Sequence, residues 1–504
     1  MKANRFSKYL NLIVALCLCI AMILPILSCA ETGGEESGSE LTSPDIAQTI
    51  PSETEPEETE FTYDFLDVDY ANEEFVIFNS EQKYYMIMNV LADDVNGESV
   101  NDAKYNAMLK VEEKYKIDLV EYYCGWDNQY NEIMNISATG EDIYDVAYLR
   151  STHVGAMFTR SYLYNLYDVP NLNLDMPWWN QQMKNDATLL GDHLYYLSSD
   201  ANLMAFEGTW GIYFNKTLAE DMGIPSPYED VYNNTWTLPR LTELAAQGAS
   251  LRGDASWEFD ANGSSIYGMA SFKNLINALM VGCNEHYCLK DTDGVPYFAM
   301  ANSATVYDVT ETIAALTSAT NNGTYISANS TGKHYTKDIF SQNRSVFMGG
   351  ELKAGAAELQ EMTNPYGILP IPKYNADQEN YLSNMLWSTL LMTIPTTCAT
   401  PERTAAVMDL LSYYAWRDVL PVYYERLCYR GMRDAESVAM LETISETRYL
   451  NWALAYAWLD SIEPHVNTEL DAGRAGGIAS LVKTASKVVP RLINTTLDDL
   501  KKVD

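Results

Sequence analysis

Three groups with a taste for soft metals stand within six residues in Cys283-Asn-Glu-His286-Tyr-Cys288. A structural zinc site closes with four such ligands, and no fourth is evident in the chain. The same two cysteines lie close enough to form a small disulfide loop, which export would permit. Free thiols are the third reading. Ser480-Leu-Val-Lys483 sets a lysine one helical turn from a serine, the spacing of a nucleophile and its base. The companion motifs that such a serine needs are missing, and the surrounding IASLVKTASKVV reads as an ordinary helix with polar edges. Asp260-Ala-Asn-Gly and Asp291-Thr-Asp-Gly place carboxylates at alternate positions before a glycine. Calcium loops need more oxygen ligands and a late Glu, so both read as hairpin turns. Glycoside hydrolysis needs two carboxylates about 5 to 10 Å apart. With 69 Asp and Glu in the chain, such a pair arises by number alone. G-x-S-x-G, H-E-x-x-H and glycine-rich phosphate motifs are absent, and His153, His193, His286, His334 and His465 are scattered. The chain is therefore expected to carry no catalytic residue, no cofactor and no resident metal.

Binding chemistry is better represented. Sugars present flat apolar faces edged with hydroxyls, so a site for them needs aromatic platforms and planar polar groups. The chain holds 36 Tyr and 10 Trp. Arg150, Ser151 and Thr152 follow the strand-like YDVAYL, and ligands of open α/β sheets gather beyond the carboxyl ends of strands. The formal charge of −36 makes nucleic acid and anionic lipid poor partners, since phosphates demand Lys and Arg.

The elements that would position these residues alternate between strand and helix patterns, which favours an α/β architecture. FVIF (75–78) reads as a buried strand. Asn101 is placed to cap a helix in which Ala107, Met108, Val111 and Tyr115 recur at helical spacing, and Ile117 and Leu119 then alternate as in a strand. This is a βαβ unit. A second unit opens with a strand at Trp210–Phe214. Asn215 caps a short helix that Gly223 and Pro225 stop, and Thr237 caps LPRLTELAAQ, with Pro239 in its first turn and Gly248 at its end.

The N-terminus has a different character. Lys2, Arg5 and Lys8 precede an apolar run from Leu10 to Leu27, the layout of an export signal. Ile26-Leu27-Ser28-Cys29 resembles the bacterial lipobox, which implies lipidation of Cys29 after removal of residues 1–28. A retained anchor is the alternative. Loss of the leader would take the formal charge to −39. Ala30 to Glu60 holds ten Asp and Glu and no Lys or Arg. Such a segment cannot bury enough apolar surface to offset its ordering entropy, so 29–63 is expected to be an acidic disordered tether.

Tyr-x-Asn-Lys ending a strand, a short helix ending in Gly, a Pro, and Trp-Thr before a capped helix together resemble the extracellular solute-binding proteins of ABC importers, maltose-binding-protein-like. The segments DMPWWNQQMKNDATLLGDHLYYLSSD and SVFMGGELKAGAAELQEMTNPYGILPIPKYNADQENYLSNM are similar to the parts of that family around its lobe crossings. The resemblance covers most of residues 72–495. It implies a two-lobed periplasmic-binding-protein-like fold that closes by a hinge. Lobe 1 would be 72–206 plus 348–388 and lobe 2 would be 207–347 plus 389–504, with crossings near 206–211, 347–350 and 386–394. Trp178, Trp179, Trp210, Tyr213 and Trp387 are then candidate platforms. Arg150, Ser151 and Glu207 are candidate polar contacts. The implied protein is a monomeric, lipid-anchored receptor on the extracytoplasmic face of the membrane, handing a sugar to ABC permease subunits. A peptide or amino-acid receptor, with Arg150 and Asp142 or Asp145 as ion partners, a sensory receptor, and an exported glycoside hydrolase are the alternatives.

Overall fold

The computed structural model describes residues 63–81, 87–318, 320, 322–328, 336–430, 432 and 434–503. The leader, Cys29 and nearly all of the tether lie outside them. The chain divides after Leu66, and the fold is that of Asp67–Asp504. It is mixed α/β with two principal sheets. The first has the order Leu390–Thr393, Val146–Arg150, Glu73–Ser80, Ile117–Cys124. Its last three strands are parallel, and Leu390–Thr393 runs against them. The second has the order Tyr366–Leu369, Trp210–Asn215, Ser345–Glu351, Tyr267–Ser271, Tyr325–Ser327. No helix among the described residues is long and apolar enough to cross a membrane.

Local sequence signals place these elements closely. The helix Ser99–Tyr115 joins two parallel neighbours of the first sheet, burying Ala107, Val111 and Tyr115. Its cap is Glu98, whose carboxylate accepts from Asn101 N at 2.9 Å. The expected cap, Asn101, instead sends its amide to Asp94 O. Asn215 accepts from Leu218 N at 3.0 Å and Thr237 from Arg240 N at 3.4 Å, so both expected caps form. Asp260 and Asp291 each accept from backbone N–H groups two residues on, as turn residues do.

The sheets depart from the expected crossings in one respect. Residues 347–350 lie inside the Ser345–Glu351 strand, paired with Trp210–Asn215 on one side and Tyr267–Ser271 on the other. Gly349, the first of two glycines in this strand, is small for a packing reason. A Cβ on Gly349 would come within 2.7 Å of Leu275 Cδ1 and 2.9 Å of Ser271 Oγ. The chain stays in the second sheet through Tyr366–Leu369 and rejoins the first only at Leu390–Thr393, so 348–351 and 366–369 belong with the second sheet and 390–393 with the first.

Two side-chain devices hold the irregular parts of the first sheet's surroundings. Residues 87–91 are pinned by side chains. Glu121 accepts from Val90 N and Leu91 N, and Glu207 from Ile87 N. Asn79 and Asn202 both donate to Met88 O, and buried Lys104 donates to Asn89 O. The second device is Asp409, on the helix Pro401–Tyr414. One of its oxygens accepts from both Trp178 Nε1 and Trp179 Nε1 at 2.9 Å, and the other accepts from Asn173 N. Both indoles are fully buried. They anchor core, and neither is placed to meet a ligand.

Burial pushes the Asp409 carboxyl up to about 6, while the two indoles and Asn173 N–H pull it back. The unfolded carboxyl ionises from about 4. An acid raised on folding favours the folded state while protonated, so this group's contribution falls as pH climbs from about 4 to about 6, then levels off. Asp409→Asn keeps an oxygen for the indoles and cannot ionise. In urea unfolding at about pH 4.5 and pH 7, the parent is expected to lose about 2 kcal/mol more than the variant across the interval; equal losses would refute the assignment.

Candidate functional site

Parallel strands deliver their carboxyl ends to one edge, and the first sheet collects four chemically useful segments there. Strand Glu73–Ser80 ends on Ser80, opposite Cys124. Strand Ile117–Cys124 runs into Gly125-Trp126-Asp127-Asn128, and Val146–Arg150 runs directly into the helix Ser151–Phe158. Antiparallel pairing of Leu390 with Arg150 brings Trp387, Ser388 and Thr389 to the same edge. Ser151 fixes that arrival twice, its N–H donating to Thr389 O at 2.9 Å and its hydroxyl to Trp387 O.

Gln129, fully buried at the start of the helix Gln129–Thr139, ties the edge together. Its amide nitrogen donates to Ser80 Oγ at 2.5 Å and to Tyr148 O at 3.1 Å. Its oxygen accepts from Arg150 N at 2.9 Å and faces His153 Nδ1 at 3.0 Å. An amide oxygen only accepts, so His153 carries its proton on Nδ1. Nε2 then has a free lone pair, which takes a guanidinium N–H of Arg150 at 2.6 Å. Burial and then the Arg150 charge push the imidazole down to about 4, so it is neutral at ordinary pH and acts as an acceptor for Arg150. The guanidinium lies over the Trp126 ring at 4.8 Å, a stacked arrangement that favours the planar cation. Tyr130 meets the His153 ring edge-on at 5.4 Å. Trp387 is 43% exposed, although its backbone is tied down.

The edge thus offers an oriented guanidinium, an indole beneath it and a second indole open to solvent. Both nitrogens of His153 are engaged, which leaves neither available as a proton acceptor. Ser480 and Lys483 are exposed on the helix Ile478–Val503.

The structure brings together Arg150, Ser151 and Trp387 among the expected site residues, and separates the others. Trp178 and Trp179 are in the core. Glu207 is buried, with one oxygen on Ile87 N and the other accepting from Tyr423 Oη at 3.0 Å, so its lone pairs serve the fold. Trp210 and Tyr213 lie on the second sheet and are buried. Trp210 tilts against Phe272 at 5.2 Å, and the Tyr213 hydroxyl bonds Glu351 O, Leu352 O and Gly355 N. Asp145 is occupied by Arg403 at 2.6 Å and by Val76 N. Cys283 and Cys288 are free, buried thiols, pushed upward by burial. His286 packs on Tyr449 and bonds Asn284. Among the described residues no three His, Cys, Asp or Glu gather as a metal site.

Trp126, Gln129 and His153 were not expected from sequence. The signal that could have found Trp126 is its place two residues past the strand Ile117–Cys124, under the same rule that picks out Arg150. After the strand Ser345–Glu351, Ala357, Glu358, Gln360 and Glu361 line a cavity of about 340 Å³ together with Lys337 of the helix Thr336–Ser341.

Comparison with known proteins supplies the family. Residues 103–421 match the model of the bacterial extracellular solute-binding proteins, well over half the chain. No curated protein matches the sequence. Among solved structures, UspC of M. tuberculosis is similar at a TM-score of 0.55 and 12% identity, over 83% of this chain and 100% of that one. An ABC substrate-binding protein of Listeria monocytogenes in complex with cycloalternan gives 0.54 and 10%, over 84% and 99%. Maltose-bound MalE3 of T. maritima gives 0.52 and 13%, over 83% and 100%. At these identities the likenesses establish the two-lobed fold alone. The family match carries the assignment, and the chain belongs to the bacterial extracellular solute-binding proteins.

Proposed function

We propose that the protein is the solute receptor of an ABC importer and that its ligand is a carbohydrate, an oligosaccharide held between the two lobes. The observation that carries this reading is the Arg150 guanidinium, oriented by neutral His153 and stacked on Trp126, on the same sheet edge to which Ser151 ties the solvent-exposed Trp387. Sugar rings bury flat apolar faces on aromatic platforms while their hydroxyls need fixed donors at the rim. Arg150 supplies such donors and Trp387 the open face. The cycloalternan and maltose found in two structural relatives support the same ligand class. Capture without chemistry is supported by the engagement of both His153 nitrogens. Lipidation at Cys29 would hold the receptor outside the membrane on its acidic tether, with permease subunits as the receiving partner and a monomer as the working form.

Titration calorimetry against oligosaccharides, peptides and amino acids, with recovery of the ligand afterward, tests the reading. An oligosaccharide recovered intact is the expected outcome; cleaved sugar, or binding of peptides alone, would overturn it. Because the Trp387 side chain is exposed, Trp387→Ala should weaken sugar binding at least tenfold, about 1.4 kcal/mol, while changing stability by only about 0.5 kcal/mol. Arg150→Lys keeps the charge but loses the planar fork. It should weaken the same ligand by a similar factor; unchanged affinity in both variants would place the ligand elsewhere.

A further inference from the structure

Beside the second sheet, four polar side-chain atoms are sealed from solvent with no hydrogen-bond partner: Glu463 Oε2, Asn277 Oδ1, Asn467 Oδ1 and the Tyr287 hydroxyl. Glu463 and Asn467 stand one turn apart on the helix Glu463–Asp471, so their side chains leave from one face. That helix packs on the helix Leu275–Gly282, every residue of which is buried. From there the Asn277 amide nitrogen donates to the other Glu463 oxygen. Tyr287 follows the same helix and lies close enough to feel the Glu463 charge. Asn277, Glu463 and Asn467 are each more than nine-tenths buried.

A buried carboxylate needs a counter-charge or a full set of donors. Asp409 and Glu207 have donors on both oxygens. Glu463 has one donor, and among the described residues no Lys or Arg forms an ion pair with it. Burial pushes its carboxyl up to about 7, with the Asn277 amide pulling back and the like charge of Asp460 pushing further. The partnerless buried atoms that these two packed helices and the segment after the first of them carry are all oxygens: one carboxylate oxygen, two amide oxygens and a phenol.

We propose that this cluster binds a hard monovalent cation, Na⁺ or K⁺, between the helices Leu275–Gly282 and Glu463–Asp471. Oxygen-only donors select hard cations over the transition metals that imidazole and thiolate favour. A single carboxylate balances one positive charge, and calcium sites gather more carboxylates than this one offers. The bound ion would take the role that Arg403 plays for Asp145 elsewhere in the fold. It would cross-link a helix that follows the strand Tyr267–Ser271 to one from the C-terminal part of the chain. This site is separate from Arg150 and Trp387 and does not depend on the identity of the solute.

Thermal unfolding of the full chain at about pH 8, in NaCl, KCl or tetramethylammonium chloride at the same ionic strength of about 0.15 M, tests it with screening held constant. At least one alkali salt should raise Tm by about 3 °C or more over the tetramethylammonium salt. Glu463→Gln and Asn467→Leu should each abolish the difference; if Glu463→Gln does not fold, Asn467→Leu alone decides. Equal Tm in the three salts, or a rise that persists in a folded variant, would overturn the proposal.

Discussion

One carboxamide organises the candidate site. Gln129 gives its amide hydrogens to two strands of the first sheet, and its oxygen to the end of one of those strands and to the helix that follows it. Because that oxygen can only accept, the proton of His153 is assigned to one nitrogen, and the remaining nitrogen is assigned to Arg150. The direction of the guanidinium therefore follows from the valence of a group that never touches solvent. This is pre-organisation in its cheapest form: the orientation is settled on folding, before any ligand arrives.

Much of the fold was legible in the sequence because it rests on local chemistry. Asn215 and Thr237 cap the helices whose first turns they precede, and the period of Ala107, Val111 and Tyr115 marks a buried face. The long-range assignments fared differently. Trp178 and Trp179 have the composition of a sugar platform, but their indole N–H groups point to Asp409, some 230 residues away, and no local pattern records that pairing. The family resemblance implies a crossing near 347–350, whereas those residues pair within a strand, where Gly349 is small because Leu275 and Ser271 press on it. Arg150 and Trp387 were recoverable, one from its place after a strand and the other from resemblance to a family. Gln129 and His153 were not, since their roles come from hydrogen bonds across elements.

The chain has 69 acidic and 33 basic residues, and its interior reflects that imbalance. Glu121, Glu207 and Asp409 are accommodated chiefly by neutral N–H and O–H donors, many of them from the backbone. Each anion is used to hold segments that no ladder of strand hydrogen bonds reaches. Residues 87–91 show this most directly, held between Glu121 on the first sheet and Glu207 at the turn leading to the second.

The tie between the Ser151 hydroxyl and Trp387 O has an entropic consequence. With its main chain fixed and its ring 43% exposed, Trp387 has only two side-chain torsions left to surrender when something stacks on it. The cost of ordering it is then small, on the order of 0.5 to 1.5 kcal/mol, and nearly the same for any flat partner. Under the proposed function, a platform of this kind would accommodate sugar rings that differ in linkage or tilt, and would leave fine discrimination among them to the oriented guanidinium of Arg150 on the same sheet edge.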